Sequence, residues 1–184
     1  GLQLGILLFL LSAGLTLTFG IMDFINLAHG AFYMLGALVS AAATIYLDSF
    51  WLGLIVAVPV TAAVGLFTEF IIVRHLYARD HLDHVLATFG LILIFDTLAH
   101  IIFGAEGISV PLPANLNGQV PLFADVVFPT YRILIISVGL LIALGLYLLV
   151  NHTRLGMRIR AGASNRTMIS ALGVNIQLLF ALVF

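Results

Sequence analysis

The chain of 184 residues is 62% hydrophobic and 8% charged, and its mean hydropathy is +1.22. Soluble domains carry about 25% charged residues, so this composition excludes an ordinary soluble protein and indicates an integral membrane protein. The formal net charge of −1 gives no indication of a nucleic-acid partner or of a broadly basic surface.

Two residue types are absent from these 184 residues, and each absence limits the chemistry. There is no cysteine, which excludes disulfides and thiolate catalysis within them. All seven Lys+Arg positions are arginine, so the lysine of a Walker A phosphate loop is missing. If ATP drives this protein, we expect another subunit to bind the ATP.

Apolar runs in chain order predict an all-α, polytopic helical bundle. Runs of spanning length lie at residues 2–21, 30–47, 52–73, 85–103 and 132–150, and a further run begins near residue 175. No methionine opens the sequence, and its last apolar run has about nine residues where a span needs about 20. We therefore expect a single transmembrane domain over residues 1–184, with about five full spans, truncated at both ends.

The arginines predict the orientation of these spans. Six of the seven lie in two connections, residues 74–84 and 151–168. Two spans separate these connections, so both lie on one side, which the positive-inside rule makes the cytoplasm. The stretch 104–130 holds four of the five prolines and no arginine, and we expect an ordered loop over the outer membrane mouth.

The stretch "IMDFINLAHGAFYMLGA" places Asp23, Asn26 and His29 in an otherwise apolar region. On a continuous helix this spacing would put them on roughly one face, but Gly20 and Gly30 bracket them and favour a break. One interpretation is a discontinuous element that lines a translocation pathway, because free backbone at membrane depth needs protein or water around it. The other is a short cytoplasmic turn in which Asn26 caps the next helix.

Small residues follow this stretch at helical spacing. Gly36 and Ser40 are four apart, as are Ala37 and Ala41. Such a stripe permits close contact between helices, and we interpret it as generic packing.

The connection 151–174 combines positive charge with a short helical pattern. One interpretation of its four arginines is simple anchoring of the topology beside anionic headgroups. The segment "SNRTMISALG" also predicts a short amphipathic helix, with Ser164 or Asn165 as N-cap and Gly173 as its end. Its apolar side would carry Met168, Ile169 and Leu172. A helix of this kind can dock into a partner's groove.

Other ionisable residues support weaker hypotheses. Asp96 and His100 lie four apart in one span, and a proton relay through this pair would make the protein a proton-coupled secondary transporter. His100 lies about one turn from the outer end of the span, where it can reach water. Glu69 is expected to form a structural pair with Arg74.

Catalytic and metal-binding motifs are weak or absent. The segment "HLDH", residues 81–84, has metal-ligand residue types but no further ligand cluster, so we predict no metal site. There is no HExxH or GxSxG motif, which argues against a membrane-embedded hydrolase.

Three separated motifs carry a family resemblance: "GLTLTFGIMDFINLAHGAFYMLGA", "RDHLDHVLATFGLILIFD" and "TRLGMRIRAGASNRTMISALGVN". They strongly resemble the membrane permease of branched-chain amino-acid ABC importers, specifically the first of its two related permease subunits. The likeness runs in order over essentially the whole chain. It implies a transport subunit and not an enzyme, with no catalytic residue. Members carry an acidic residue after "INLAHG", where this chain has Ala31. Permeases for urea and short amides share much of the pattern and remain an alternative.

The resemblance implies a heteromeric importer in a bacterial or archaeal cytoplasmic membrane. Its partners would be a homologous second permease, two cytoplasmic ATPases that bind ATP and magnesium, and a periplasmic solute-binding protein. No cofactor is expected in this chain. The pathway residues would be Asp23, Asn26, His29 and Gly30. Within the cytoplasmic coupling loop 151–174, the residues that contact an ATPase would be Arg160, Ser164, Asn165, Met168, Ala171 and Gly173. Coupling helices often carry an acid that this loop lacks.

Overall fold

The computed structural model describes residues 1–104, 107–123 and 126–184. The helices are α1 (Leu2–Met22), α2 (His29–Leu47), α3 (Phe50–Ile71), α4 (His81–Phe103), α5 (Thr130–His152), α6 (Arg154–Ser164), α7 (Arg166–Ala171) and α8 (Ile176–Val183). Two strands, β1 (Gln119–Phe123) and β2 (Val126–Pro129), lie between α4 and α5. Single 3-10 turns occupy Val73–His75 and Ala114–Leu116.

Within the described part of the chain, five helices are long and apolar enough to cross a membrane: α1, α2, α3 with the turn that follows it, α4 and α5. The predicted spans and their order are therefore confirmed, and the chain is a multi-pass membrane protein. α8 begins one residue after the expected start of the last apolar run. Most apolar side chains on the spans point away from the rest of the chain, as expected for helices in lipid or against further protein.

The stretch 104–130 contains a small antiparallel hairpin that the sequence analysis did not predict. β1 pairs with β2 in a register that joins Gln119 to Pro129 and Val120 to Phe128. The register shifts between Pro121 and Phe123. Residues 105–106 and 124–125 of the expected ordered loop lie outside the described residues.

The two arginine-bearing connections lie together, as predicted. A buried cluster joins the end of α1 and the following segment, through Met22 and Phe24, to Val73, Ile159 and Phe180. We call this end of the bundle the basic side. Because α1 and α5 both run towards it, they are parallel, and Gly139 of α5 packs against Ile6 and Leu10 of α1.

α2 and α3 form a tight antiparallel hairpin. α2 ends at Asp48, whose left-handed backbone has φ 47° and ψ 33°. The Ser49 hydroxyl accepts a hydrogen bond from the Leu52 N–H and so caps α3. Gly53 is buried against Thr44, where a Cβ would lie 2.8 Å from the Thr44 backbone nitrogen. This close approach brings the two spans into contact along their length.

Candidate functional site

The connection between α1 and α2 is not helical, which confirms the predicted break. α1 ends at Asp23, whose left-handed backbone (φ 49°, ψ 34°) lets its N–H donate to the Phe19 carbonyl at 2.9 Å. α2 begins at His29 with Ala28 as its N-cap, and no side chain caps it. The connection is thus a short turn between two spans, as one interpretation expected, but the Asn26 side chain does not cap the second helix.

Asn26 is buried in this break without a partner for its side chain. The residue is 1% exposed, and neither atom of its carboxamide finds a hydrogen-bond partner among the described residues. Leaving a buried polar group unsatisfied costs about 1–3 kcal/mol. Native proteins rarely keep such a group, so Asn26 is the strongest candidate in the break for contact with water or solute.

The other polar residues of the break do not converge with Asn26. The Asp23 carboxylate is 59% exposed, with Oδ1 3.4 Å from Nε2 of His81. The ring of His29 is half-buried against Gly14 of α1, where a Cβ would lie 2.6 Å from its Nε2. Gly30 is exposed in the first turn of α2. The common face expected for a continuous helix does not form, because the break turns each side chain differently.

An apolar groove of about 950 Å³ follows α2 and α3 and includes His29 at one end of α2. Small and hydroxyl-bearing residues contribute much of its lining, namely Tyr33, Gly36, Ala37, Ser40, Ala41, Thr44, Ala57, Thr61, Ala62 and Gly65. The buried Thr61 hydroxyl oxygen has no hydrogen-bond partner within the described ranges. The small residues of α2 that were interpreted as generic packing do contact α3, since a Cβ on Gly36 would lie 3.6 Å from Thr61 Oγ1. They also line this groove.

Phe24 joins the break to the basic side, and the sequence analysis missed it. Its side chain is 0% exposed. The ring centroid lies 4.6 Å from that of His84 on α4 and 6.2 Å from that of Tyr77. Tyr77 in turn packs edge-on to Phe180 of α8, with centroids 5.0 Å apart. No sequence pattern marks this role, because Phe24 lies in a connection without helical or strand periodicity.

A buried carboxylate ties the same region to the end of α3. Glu69 is 1% exposed; it accepts the Tyr77 hydroxyl at 2.9 Å and lies 3.5 Å from the Arg74 guanidinium. The expected pair of Glu69 with Arg74 is therefore present, with Tyr77 as an additional donor. Burial, and next the hydrogen bond to Glu69, raise the pKa of the Tyr77 phenol above its ordinary value. The phenol thus stays neutral and remains a donor.

The connection 151–174 contains two helices where the sequence predicted one. α7 begins after Asn165, whose side chain accepts from the Met168 N–H at 2.9 Å, so Asn165 is the N-cap and Ser164 is not. Gly173 follows the helix with φ +83°, as expected of a stop. Ile169 is buried, but Met168 and Leu172 are 65% and 76% exposed. The predicted apolar side is therefore divided, with Ile169 facing inward.

α6 was missed because Gly156 and Gly162 lower its intrinsic helix propensity. Both glycines are buried, and Gly162 would bring a Cβ to 3.2 Å from Leu179 of α8. Close packing therefore outweighs propensity here. Arg160, one of the predicted coupling residues, donates a hydrogen bond to the Val150 carbonyl near the end of α5. Ala171 ends α7 and is exposed.

The other ionisable groups that the structure describes form isolated pairs or contacts. Asp96 Oδ1 and His100 Nε2 are 3.8 Å apart, and both side chains are more than half exposed. In the "HLDH" segment, His84 Nε2 lies 2.8 Å from the Leu76 carbonyl oxygen, which gives this ring a structural contact. Across residues 1–104, 107–123 and 126–184, no three His, Asp or Glu side chains are arranged to hold a metal ion.

Comparison with known proteins gives a consistent result. BraD, a high-affinity branched-chain amino acid transport system permease protein of Pseudomonas aeruginosa, is 30% identical over 100% of this chain and 64% of its own length. The corresponding protein LivH of Escherichia coli K12 is 29% identical over 100% of this chain and 63% of its own length. A probable branched-chain amino acid transport permease protein LivH of Methanocaldococcus jannaschii is 30% identical over 93% of this chain and 55% of its own length. No solved structure matches the chain.

This chain therefore spans less than two thirds of the length of these relatives. The family model for the branched-chain amino acid transport system permease component matches residues 1–184. Since that match covers every residue, the chain belongs to the branched-chain amino acid transport permease family.

Proposed function

We propose that this chain provides part of the translocation pathway of an ATP-driven, binding-protein-dependent importer of branched-chain amino acids. The observation that carries the proposal is the family match over residues 1–184, together with relatives named for this transport. The importer would lie in a bacterial or archaeal cytoplasmic membrane. Urea or short amides are the alternative cargo.

The proposed pathway runs beside the break and along the groove. Asn26 supplies a carboxamide without a partner, and His29 leads from the break into the groove. The groove offers a mostly apolar wall with scattered hydroxyl groups, which suits an aliphatic side chain with a few polar contacts. The break lies at the basic side, so this pathway would open at that end of the bundle.

The proposed contact with the ATPases lies on α7. Its buried Ile169 fixes the helix to the bundle, while Met168 and Leu172 point outward. Exposed apolar residues on a short helix at the basic side suit docking into a groove of a cytoplasmic partner. ATP and magnesium would bind to two ATPase subunits, and a homologous permease and a periplasmic solute-binding protein would complete the importer. Closure of the ATPases would then move α7, and the spans around the pathway would tilt.

The first test is uptake of radiolabelled leucine and urea into vesicles that carry the full-length permease with its partners and receptor. We expect leucine uptake that requires ATP and survives a protonophore. Uptake that needs no ATP and is lost when the proton gradient is removed would contradict the proposal. It would favour a proton-coupled transporter with a relay through Asp96 and His100. ATP-dependent uptake of urea alone would keep the importer but change its cargo.

The second test is Asn26→Leu, which replaces the unpartnered carboxamide with an apolar group that has the same number of heavy atoms. We expect leucine uptake to fall about tenfold or more, a loss of roughly 1.4 kcal/mol or more. Thermal stability should change little, because the loss of a desolvated polar group offsets the larger volume of leucine. Asn151→Leu is the matched control, since Asn151 is exposed at the end of α5. Unchanged uptake by Asn26→Leu would remove Asn26 from the pathway.

A further inference from the structure

α6 is held rigidly at the end of a membrane span. Only Thr153 separates it from α5. The Thr153 hydroxyl donates to the Leu149 carbonyl at 2.6 Å and accepts from the Gly156 N–H at 3.0 Å. Because α5 is a span of 23 residues, the start of α6 lies where the membrane meets the aqueous phase on the basic side.

Packing determines which side of α6 is free. Gly156, Ile159 and Gly162 are buried against the ends of α5, α1 and α8. Arg154 and Arg158 are four apart and exposed, so they share a side of the helix that is free of these contacts. Met157 lies beside them and is 57% exposed. We call these three residues the arginine face of α6.

The charges of this face have no counter-ion in the described chain. Residues 126–184 contain no aspartate or glutamate. Neither Arg154 nor Arg158 forms a salt bridge with any acid among the described residues, where the one arginine ion pair is Arg74 with Glu69. Arginine remains charged in proteins, and like charges four apart on a helix repel each other. An anion at this position would remove that repulsion.

Membrane lipids provide such an anion at the required depth. The cytoplasmic leaflet is negatively charged and attracts arginine side chains beside a span. Guanidinium groups bind phosphate through several donors. Met157 suits the same location, since its apolar side chain can enter the acyl region while its neighbours reach the phosphates. A protein partner finds its exposed apolar contacts on α7 instead, at Met168 and Leu172.

We propose that the arginine face of α6 binds the phosphate headgroups of anionic phospholipids. This binding neutralises Arg154 and Arg158 and holds the α5–α6 corner at the membrane surface. It is independent of the cargo and of the docking proposed for α7.

The test uses the full-length permease in nanodiscs of phosphatidylcholine with a minor fraction of phosphatidylglycerol. Native mass spectrometry after release counts the phosphatidylglycerol molecules that the protein retains. In the double variant Arg154→Gln/Arg158→Gln, we expect the affinity for this lipid to fall about tenfold or more, since each arginine near the surface contributes to binding. The control, Arg132→Gln, removes an exposed arginine at the opposite end of the bundle and should retain the lipid.

A second variant separates charge from folding. Arg154→Lys/Arg158→Lys keeps both charges and should keep the lipid. An equal loss in the lysine and glutamine variants, or an equal loss in the control, would overturn the proposal, as would full retention in the glutamine variant. Loss of an ATPase partner from the glutamine variant with lipid retained would also overturn it, because the face would then be a protein interface.

Discussion

Glu69 and Phe24 show how single side chains join parts of this membrane protein that are distant in sequence. Phe24 fills the space between Tyr77 and His84, and Glu69 holds Tyr77 from the other side. The break between α1 and α2 thus contacts the connection that follows α3 through one tyrosine. The start of the proposed pathway is therefore packed against the residues that follow α3.

Removing the Glu69 carboxylate should destabilise the protein, because Tyr77 and Arg74 would lose their partner. For Glu69→Ala we expect a loss of about 1–3 kcal/mol, measured by unfolding of the detergent-solubilised protein. Asp80→Ala is the control. Asp80 is exposed and makes no capping hydrogen bond to α4, so its loss should stay within about 0.5 kcal/mol. An equally small loss of unfolding free energy in both variants would show that the contacts of Glu69 do not stabilise the protein.

At the residue scale the sequence predicted one of the contacts described above and missed others. The pair of Glu69 with Arg74 was predicted because the two residues lie close together in sequence near the end of a span. The burial of Asn26 was not, because it depends on residues of other helices that close over the break. Phe24 and Tyr77 were missed for the same reason, since an aromatic ring in a connection has no periodic pattern to reveal its contacts.

The helices that cross the membrane were predicted best, because lipid requires each of them to be a continuous apolar run of spanning length. The five spans therefore matched closely, with shifts of a few residues at their ends. α6 and the hairpin β1–β2 were missed, because tertiary contacts decide both. Two glycines inside α6 are used for close packing, and propensity alone counts them against a helix.

The α2–α3 hairpin permits a sharp test of close packing. In Gly53→Ala the added Cβ would overlap the Thr44 side chain and lie 3.0 Å from the Ser40 carbonyl oxygen, and backbone cannot yield as a side-chain end can. We expect about 1–3 kcal/mol of destabilisation. Gly65→Ala on the same helix has nothing within 4 Å of the new Cβ, so it should be neutral or gain up to about 1 kcal/mol from helix propensity. We expect Gly53→Ala to melt at a lower temperature than Gly65→Ala. Equal melting temperatures would show that the contact between α2 and α3 is not as close as described.

For the whole molecule, the proposed mechanism depends on which end of the bundle faces the cytoplasm. The hydropathy of the spans does not determine the direction of the bundle in the membrane. The arginines at the basic side indicate this direction, since they favour the cytoplasmic leaflet. The proposed docking of ATPases on α7 requires the same direction, because ATP is available in the cytoplasm. α7 belongs to the connection that carries four of the arginines, so one orientation serves both.

The orientation can be measured with single cysteines, since these 184 residues contain none. Ser170→Cys on α7 and Asp48→Cys at the α2–α3 turn are exposed and lie at opposite ends of the bundle. A membrane-impermeant maleimide should label Asp48→Cys in intact spheroplasts and Ser170→Cys only in inverted vesicles or after permeabilisation. Labelling of Ser170→Cys from outside would reverse the orientation. It would place α7 out of reach of a cytoplasmic ATPase and the arginine face in the outer leaflet, so both proposals depend on this result.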